Sequence, residues 1–384
     1  MPGRVGRADS AGRDPESCDV LVAGGGPAGA AAALTLARAG RTVLLADAGT
    51  GPPRVGEALP SAARLLLHDL GAGEGPLTSG HLTCYANLSA WGSPLLGGTD
   101  FIHDPNGPGW HLDRARFDRA LRAAAQRAGA RFAARTAVRG VTRRADGTWS
   151  VALRGPGGAG VVRCRWLVDA TGRRRAVAAR CGATRHRTDR LVAAYLTLPP
   201  GGGAGALDAS SLVESAEDGW WYTALLPGGR RLVAYFTDAD LAPPLPGPQA
   251  FLRLLRGTRH VADRAGRHPA PTEVPPGRAP RRASAHSSHL GSPSGEGWTA
   301  VGDAAAAFDP ISAQGILTAL HTGMTGAHAV HAHLDGDPTA LDTYRAHVGA
   351  LLAAYRHNHR TVYAAEPRWA DRPFWRRRRP TALR

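Results

Sequence analysis

The chain has 384 residues, room for roughly two domains and a sizeable core. Its 47 basic residues are all arginine and face 31 acids, for a net charge of +16; the Ala, Gly and Pro load beside them points to a GC-rich coding bias behind much of that excess. No apolar run approaches the ~20 residues of a membrane helix, no signal core opens the chain, no CxxC pair or metal spacing joins the four cysteines, and no nucleic-acid module accompanies the arginines, so the pattern points away from a membrane protein, a zinc module and a nucleic-acid binder, and toward a cytoplasmic protein with reduced thiols.

Residues 1–17 read as a disordered leader. "VLVAGGGPAGAAAALTLARAGRTVLLAD" (20–47) then gives a strand, a glycine turn, a helix over 27–39 and a second strand ending in an acid. Gly24 permits the tight turn, Gly26 lets backbone approach a pyrophosphate, and Gly29 lets the helix pack closely on the strand. The helix N-terminus, with Pro27 and Ala28, aims free amides at the phosphates. Asp47, about 20 residues on, stands where an acid accepts from an adenosine ribose. The unit binds a dinucleotide and leaves nicotinamide and flavin cofactors both open. The glycine-rich stretches near 158 and 202 open no second such unit.

A loop leads to a helix over 61–70, and 82–93 alternates as one or two strands. An amphipathic helix follows an Asp113 cap within 110–130, with Phe117, Leu121, Ala124 and Ala128 on one face. Three strands follow to residue 172, with a hairpin turn at 145–147. Residues 191–240 form a second β-rich block, and 241–285 carry one helix near 248–257. Residues 298–330 read as strand, loop and long helix; a last helix covers 339–366, and "WRRRRP" (375–380) reads as a solvated basic tail. The pairs His331/His333 and His357/His359 point apart on helices, so no metal site is expected.

Four stretches, "GGGPAG" (24–29), "RVGEALP" (54–60), "LVDATGRRRAVA" (167–178) and "VGDAAAAFDPISAQGI" (301–316), together resemble the FAD-dependent group of aromatic-ring monooxygenases, flavin-dependent halogenases and geranylgeranyl-reductase-like enzymes. The resemblance implies an α/β fold. A Rossmann-like FAD-binding domain (18–80, 105–185, 286–330) would be interrupted by a mixed β-sheet substrate domain (81–104, 186–285), with a C-terminal helical segment over 331–384. It also implies that Asp303, after Gly302, meets the FAD ribityl chain. The loop from Pro310 to Gly315 and Ile316 would pass the flavin ring, with the next helix pointing its N-terminus at the pyrimidine edge. Asp169 and Gly172 would flank the cofactor, Arg54 would bind it, either Arg116 or Arg114 would reach its ribityl or pyrophosphate region, and the backbone of Val138 would meet the adenine.

"EDGWWYTALLP" is similar to the halogenase-like branch, with its WxWxIP motif altered. Those halogenases rely on a lysine, and this chain has none. An arginine stays protonated and offers no amine nucleophile. The expectation is therefore an FAD monooxygenase that hydroxylates an electron-rich aromatic ring through a flavin C4a-hydroperoxide. Electrons would come from NAD(P)H directly or through a flavin reductase. The substrate would be an indole or phenol, free or as tryptophan in a peptide, as in a subgroup similar to this chain that hydroxylates peptide tryptophan. Glu57, Trp220 and Trp221 are the candidate catalytic residues, in a pocket with Trp91, Tyr195 and Tyr222; neighbours on a strand face opposite ways, so one tryptophan of the pair would line it. An FAD reductase or dehydrogenase is the alternative, and a non-catalytic flavoprotein docking an acidic protein on 376–379 a further one.

Overall fold

The computed structural model describes residues 16–49, 57–78, 80–202, 208–269 and 280–379. Residues 1–15 of the expected leader, and Arg54, lie outside them. Helices are α1 (Pro27–Arg38), α2 (Ala63–Asp69), α3 (Arg114–Arg127), α4 (Pro248–Leu255), α5 (His260–Gly266), α6 (Gly315–Leu334), α7 (Ala340–Ala364) and α8 (Pro373–Arg376).

The first half is built on a parallel sheet. Glu16–Ala23 lies between Val43–Asp47 and the C-terminal part of Gly158–Asp169; Arg131–Ala134 and Trp298–Ala300 extend the two sides. The N-terminal part of Gly158–Asp169 instead pairs antiparallel with Trp149–Gly155, which pairs with Ala137–Arg143. The first strand starts at Glu16, not at 20. Glu16 and Ser17 pair with Val162 and Arg163, although their polar side chains hid the strand from the sequence pattern.

Almost all of α1 is buried. Its small side chains let α6 lie directly on it: a Cβ on Gly323 would stand 2.3 Å from the Ala28 carbonyl oxygen and 3.0 Å from the Ala31 Cβ. The Ala and Gly of these helices are therefore a steric requirement of packing.

The second half is a seven-stranded sheet, ordered Arg281–Ser284, Leu191–Leu198, Arg231–Asp238, Gly219–Leu225, Ser210–Ala216, Ala86–Ala90 and Gly97–Asp100. Only the Ser210–Ala216/Ala86–Ala90 pair is parallel. Helices α4 and α5 cover one face through Phe251, Leu255, Val261 and Ala265. The sequence pattern missed α5, because its cap comes from far away. The Glu214 carboxylate accepts the N–H groups of Arg259, His260 and Val261 at 2.8, 2.9 and 2.8 Å.

The chain end covers the other face, which corrects the expectation of a solvated tail. Phe374 and Trp375 are fully buried against Tyr363 and Trp220. Arg378 is buried over the Phe374 ring and pairs with Asp238 at 2.6 Å. Arg377 reaches Asp238 and Asp240 at 2.8 and 2.7 Å, and Arg379 donates to the Glu366 carbonyl at 2.8 Å. Three of the four arginines are thus paired within the chain, while Arg376 stays exposed.

Candidate functional site

The glycine turn is shaped by contact. Gly24 has φ +109°, and a Cβ there would stand 2.3 Å from the Ala170 carbonyl oxygen; one on Gly29 would stand 1.8 Å from the Gly24 carbonyl oxygen. Gly26 is the extended N-cap of α1, Pro27 takes the first turn, and no side chain caps the helix. The first amides of α1 are therefore free for an anion, and Ala28 sits at the head of the helix.

Asp47 ends its strand against this turn, where a Cβ on Gly25 would be 2.9 Å from the Asp47 side chain. Arg122 of α3 completes the corner. It donates to the Gly25 carbonyl at 2.9 Å and lies 3.8 Å from Asp47. Sequence reasoning did not single out Arg122; the signal was its place two helical turns after Arg114, on the same face. Of the two alternatives Arg116 and Arg114, Arg116 lies on the exposed side of α3. Two residues from Arg114, it points to the other side of the helix, is 58% exposed, and lies over Gly80, 3.7 Å from Asp113. Arg114 turns inward, 3.4 Å from Asp118.

Asp169 is fully buried, and its oxygens are used by its own turn. Oδ1 accepts Thr171 N–H (2.9 Å) and hydroxyl (2.7 Å), while Oδ2 accepts the N–H of Val177 (2.9 Å) and Ala178 (2.7 Å). It holds Ala170 beneath Gly24, at the flank of the glycine turn. Gly172 follows with φ +66°. Val138 pairs with Leu153 and packs half-buried on the core beneath the sheet.

The downstream motif meets the same helix head. Gly302, at φ +59°, would bring a Cβ to 2.6 Å from that of Ala28, and its N–H donates to Thr322 Oγ1 at 2.9 Å. Asp303 is partly exposed, with Arg173 Nε at 3.5 Å. Asp309 caps a short turn from Pro310, Ala313 takes a left-handed backbone, and Ala313, Gln314 and Gly315 are exposed at the start of α6; Ile316 returns to the core. A Cβ on Gly315 would meet nothing within 4 Å.

The candidate catalytic residues separate. Trp220 and Trp221 are each 1% exposed and line no open pocket. Trp220 stacks on Phe236 at 3.9 Å and donates to the Tyr363 hydroxyl at 2.9 Å. Trp91 packs edge-on to Trp375 at 5.1 Å, and Tyr195 joins the same buried cluster. Trp221 faces the other way, against Tyr235 and Phe251. The chain end fills the space read as an aromatic pocket.

Glu57 and Tyr222 belong to a different, polar cluster. Glu57 is buried. Burial pushes the Tyr222 phenol up, its bond to Ser211 opposes this, and the Glu57 charge adds to the rise. Ser211 Oγ lies 3.4 Å from the Tyr222 hydroxyl and 3.0 Å from His111 Nε2. His111 is fully buried, and burial lowers its pKa to about 4, against a rise from the Asp208 charge. Sequence reasoning passed over His111 and Ser211, because no short spacing links residues 57, 111, 211 and 222. Among the described residues no group of His, Cys, Asp and Glu is placed to hold a metal ion, and no helix is long and apolar enough to cross a membrane.

A steric cradle at Gly24 and Gly29, free amides on α1, an acid at Asp47 and open space beside Gly315 fit an extended dinucleotide with a ring system at the α6 end, as FAD has. The FAD binding domain family matches residues 17–198. The chain belongs to the FAD-dependent oxidoreductases. It is 30% identical over 378 residues to LodB of Marinomonas mediterranea, assigned as an FAD-dependent oxidoreductase, covering 94% of this chain and 97% of that one. Among solved structures, the myxobacterial chondrochloren halogenase superposes with a TM-score of 0.86 at 23% identity, over 96% of this chain and 87% of that one. A peptidyl tryptophan dihydroxylase essential for tryptophylquinone cofactor biogenesis superposes with a TM-score of 0.77 at 26% identity, over 96% and 81%.

Proposed function

We propose that this FAD-dependent oxidoreductase is a monooxygenase that hydroxylates an electron-rich aromatic substrate, with an indole, free or as a tryptophan residue in a peptide, as the first class to test. One observation carries the choice within the family: the chain has the halogenase-type architecture but no lysine in 384 residues, so the amine that halogen transfer needs is missing. The likeness to a peptidyl tryptophan dihydroxylase supports the indole.

Reduced FAD supplies the electrons that activate dioxygen. The α1 amides and the turn at Gly24 and Gly26 bind its diphosphate, Asp47 accepts from its adenosine ribose with Arg122 at its side, and Asp303 meets the ribityl chain. Pro310 to Ile316 border its ring, and Gly172 leaves room along it. Electrons reach it from NAD(P)H, directly or through a separate flavin reductase. The protons are managed by Glu57, Tyr222, Ser211 and His111. Tyr222 keeps its Oη proton at neutral pH because burial and Glu57 both oppose its ionisation. His111 stays neutral because burial opposes its charge. Tyr222 Oη–H can orient a substrate, with Ser211 and the neutral His111 imidazole placing the phenol.

The test offers indole, free tryptophan and a tryptophan-containing peptide to the FAD-loaded enzyme, with NADH, a flavin reductase, chloride and bromide present. Hydroxylated product without halogenated product is expected. A halogenated product would refute the proposal, and so would loss of hydrogen without added oxygen.

A further inference from the structure

Helix α7 carries Tyr355, His359 and Tyr363 at every fourth position, one stripe on one face. All three meet the segment that leads into the exposed turn before α6. Tyr355 stacks on Phe308 at 4.4 Å, and its hydroxyl accepts the Asp309 N–H at 3.1 Å and bonds Ser287 Oγ at 2.6 Å. Asp309 is 0% exposed. Its Oδ2 accepts the Tyr363 hydroxyl at 2.7 Å and lies 3.2 Å from His359 Nε2, while Oδ1 accepts the Ile311 N–H at 3.0 Å. The Tyr363 hydroxyl also accepts Trp220 Nε1, so one oxygen joins this segment to the second sheet.

Four residues after Asp309, Ala313 has φ +52° and ψ +15°. An alanine in this region carries a Cβ penalty that glycine does not, and it persists only where its surroundings fix it. The downstream end of the turn is fixed by α6 on α1. The upstream end is fixed by Asp309, and Asp309 by the stripe. The rest of α7 docks without these groups: Tyr344 donates to the Ala300 carbonyl at 2.8 Å, and Leu341 and Val348 are buried.

We infer that Tyr355, His359 and Tyr363 are positioning residues that, through Asp309, hold the 310–315 turn in its strained, cofactor-ready shape. The inference rests on the proposal that this turn borders the flavin ring. Without the stripe, Ala313 relaxes from its left-handed conformation, and FAD binding must restore it.

The test titrates apo-protein with FAD by fluorescence and records the visible circular dichroism of the bound flavin. Tyr363→Phe keeps the ring and removes the hydroxyl; it is expected to weaken FAD binding on the order of fivefold, the size of one such backbone penalty, and to alter the dichroism. Adding Ala313→Gly is expected to restore the affinity, because glycine has no strain to release. Wild-type affinity and dichroism in Tyr363→Phe would overturn the inference, and so would a loss that Ala313→Gly does not repair. Gly315→Ala tests the underlying proposal separately: the protein itself has room for that methyl, so it weakens FAD binding only if the ring lies there. Wild-type affinity in Gly315→Ala would sink the placement of the turn, whatever Tyr363→Phe does.

Discussion

The two halves of the molecule are packed by opposite means. The cofactor half is held by what is absent: side chains missing at Gly24, Gly29 and Gly323 let backbone meet backbone, and at Gly302 let backbone meet the Ala28 methyl. The second half is held by what is large. Trp220, Trp221, Phe251, Phe374 and Trp375 fill it, and the buried Arg378–Asp238 pair, with Glu366 accepting from Gly92 N–H and the Ser215 hydroxyl, ties the chain end down. Small residues leave a surface shaped for a ligand, whereas large ones leave a filled core. Between them, Ser211 and Tyr222 of the second sheet meet His111 in a polar cluster.

Substitutions can break this contrast. The largest effect is expected at Gly29→Ala, whose methyl would overlap the Gly24 carbonyl oxygen. The purified protein should be colourless and fail to take up FAD, which a visible spectrum reads at once. In the other half, Trp375→Ala should leave a cavity and cost about 3–5 kcal/mol in a denaturant melt. FAD uptake at low temperature should survive it, since the residue lies outside the cradle. A Trp375→Ala protein as stable as the parent would mean that the chain end is not part of the core.

Asp169→Asn sharpens the same contrast. The amide nitrogen cannot accept the N–H groups that the second carboxylate oxygen now takes from Val177 and Ala178, so a loss of about 2–3 kcal/mol is expected by chemical denaturation. The smallest effect concerns pH. Burial lowers His111 to about 4 from its ordinary 6.5, so the folded state binds fewer protons than the unfolded state in that window. The stability this group contributes is complete above about pH 6.5 and is lost as pH falls toward 4. His111→Asn should flatten the fall by about 2 kcal/mol between melts at pH 7 and pH 4.5. His286, lowered to about 4 chiefly by burial with Arg173 adding, should leave a residual slope.

The same contrast explains what was legible in the sequence. Gly24, Gly26, Gly29, Asp47 and the Asp113 cap act over a few residues or one strand-helix-strand unit, so their spacing carries the information. The Asp113 carboxylate does accept the Arg116 N–H, at 3.0 Å. The second half depends on partners far apart in the chain: Glu214 capping α5, Asp238 receiving Arg377 and Arg378, and Ser211 joining His111 to Tyr222. Nothing local marks such pairs. An arginine run reads as a solvated tail until the acids that receive it are folded nearby. Two adjacent tryptophans read as pocket walls until Phe374 and Trp375 close over one of them.

The most direct test of the proposed oxygenation follows the oxygen atom. The reduced, FAD-loaded enzyme is given an indole substrate under isotopically heavy dioxygen in ordinary water, and the product is weighed by mass spectrometry. Hydroxylation by this chain predicts heavy oxygen in the product, with the label lost when light dioxygen is supplied. A product carrying halogen, oxygen from water, or no new oxygen would contradict it.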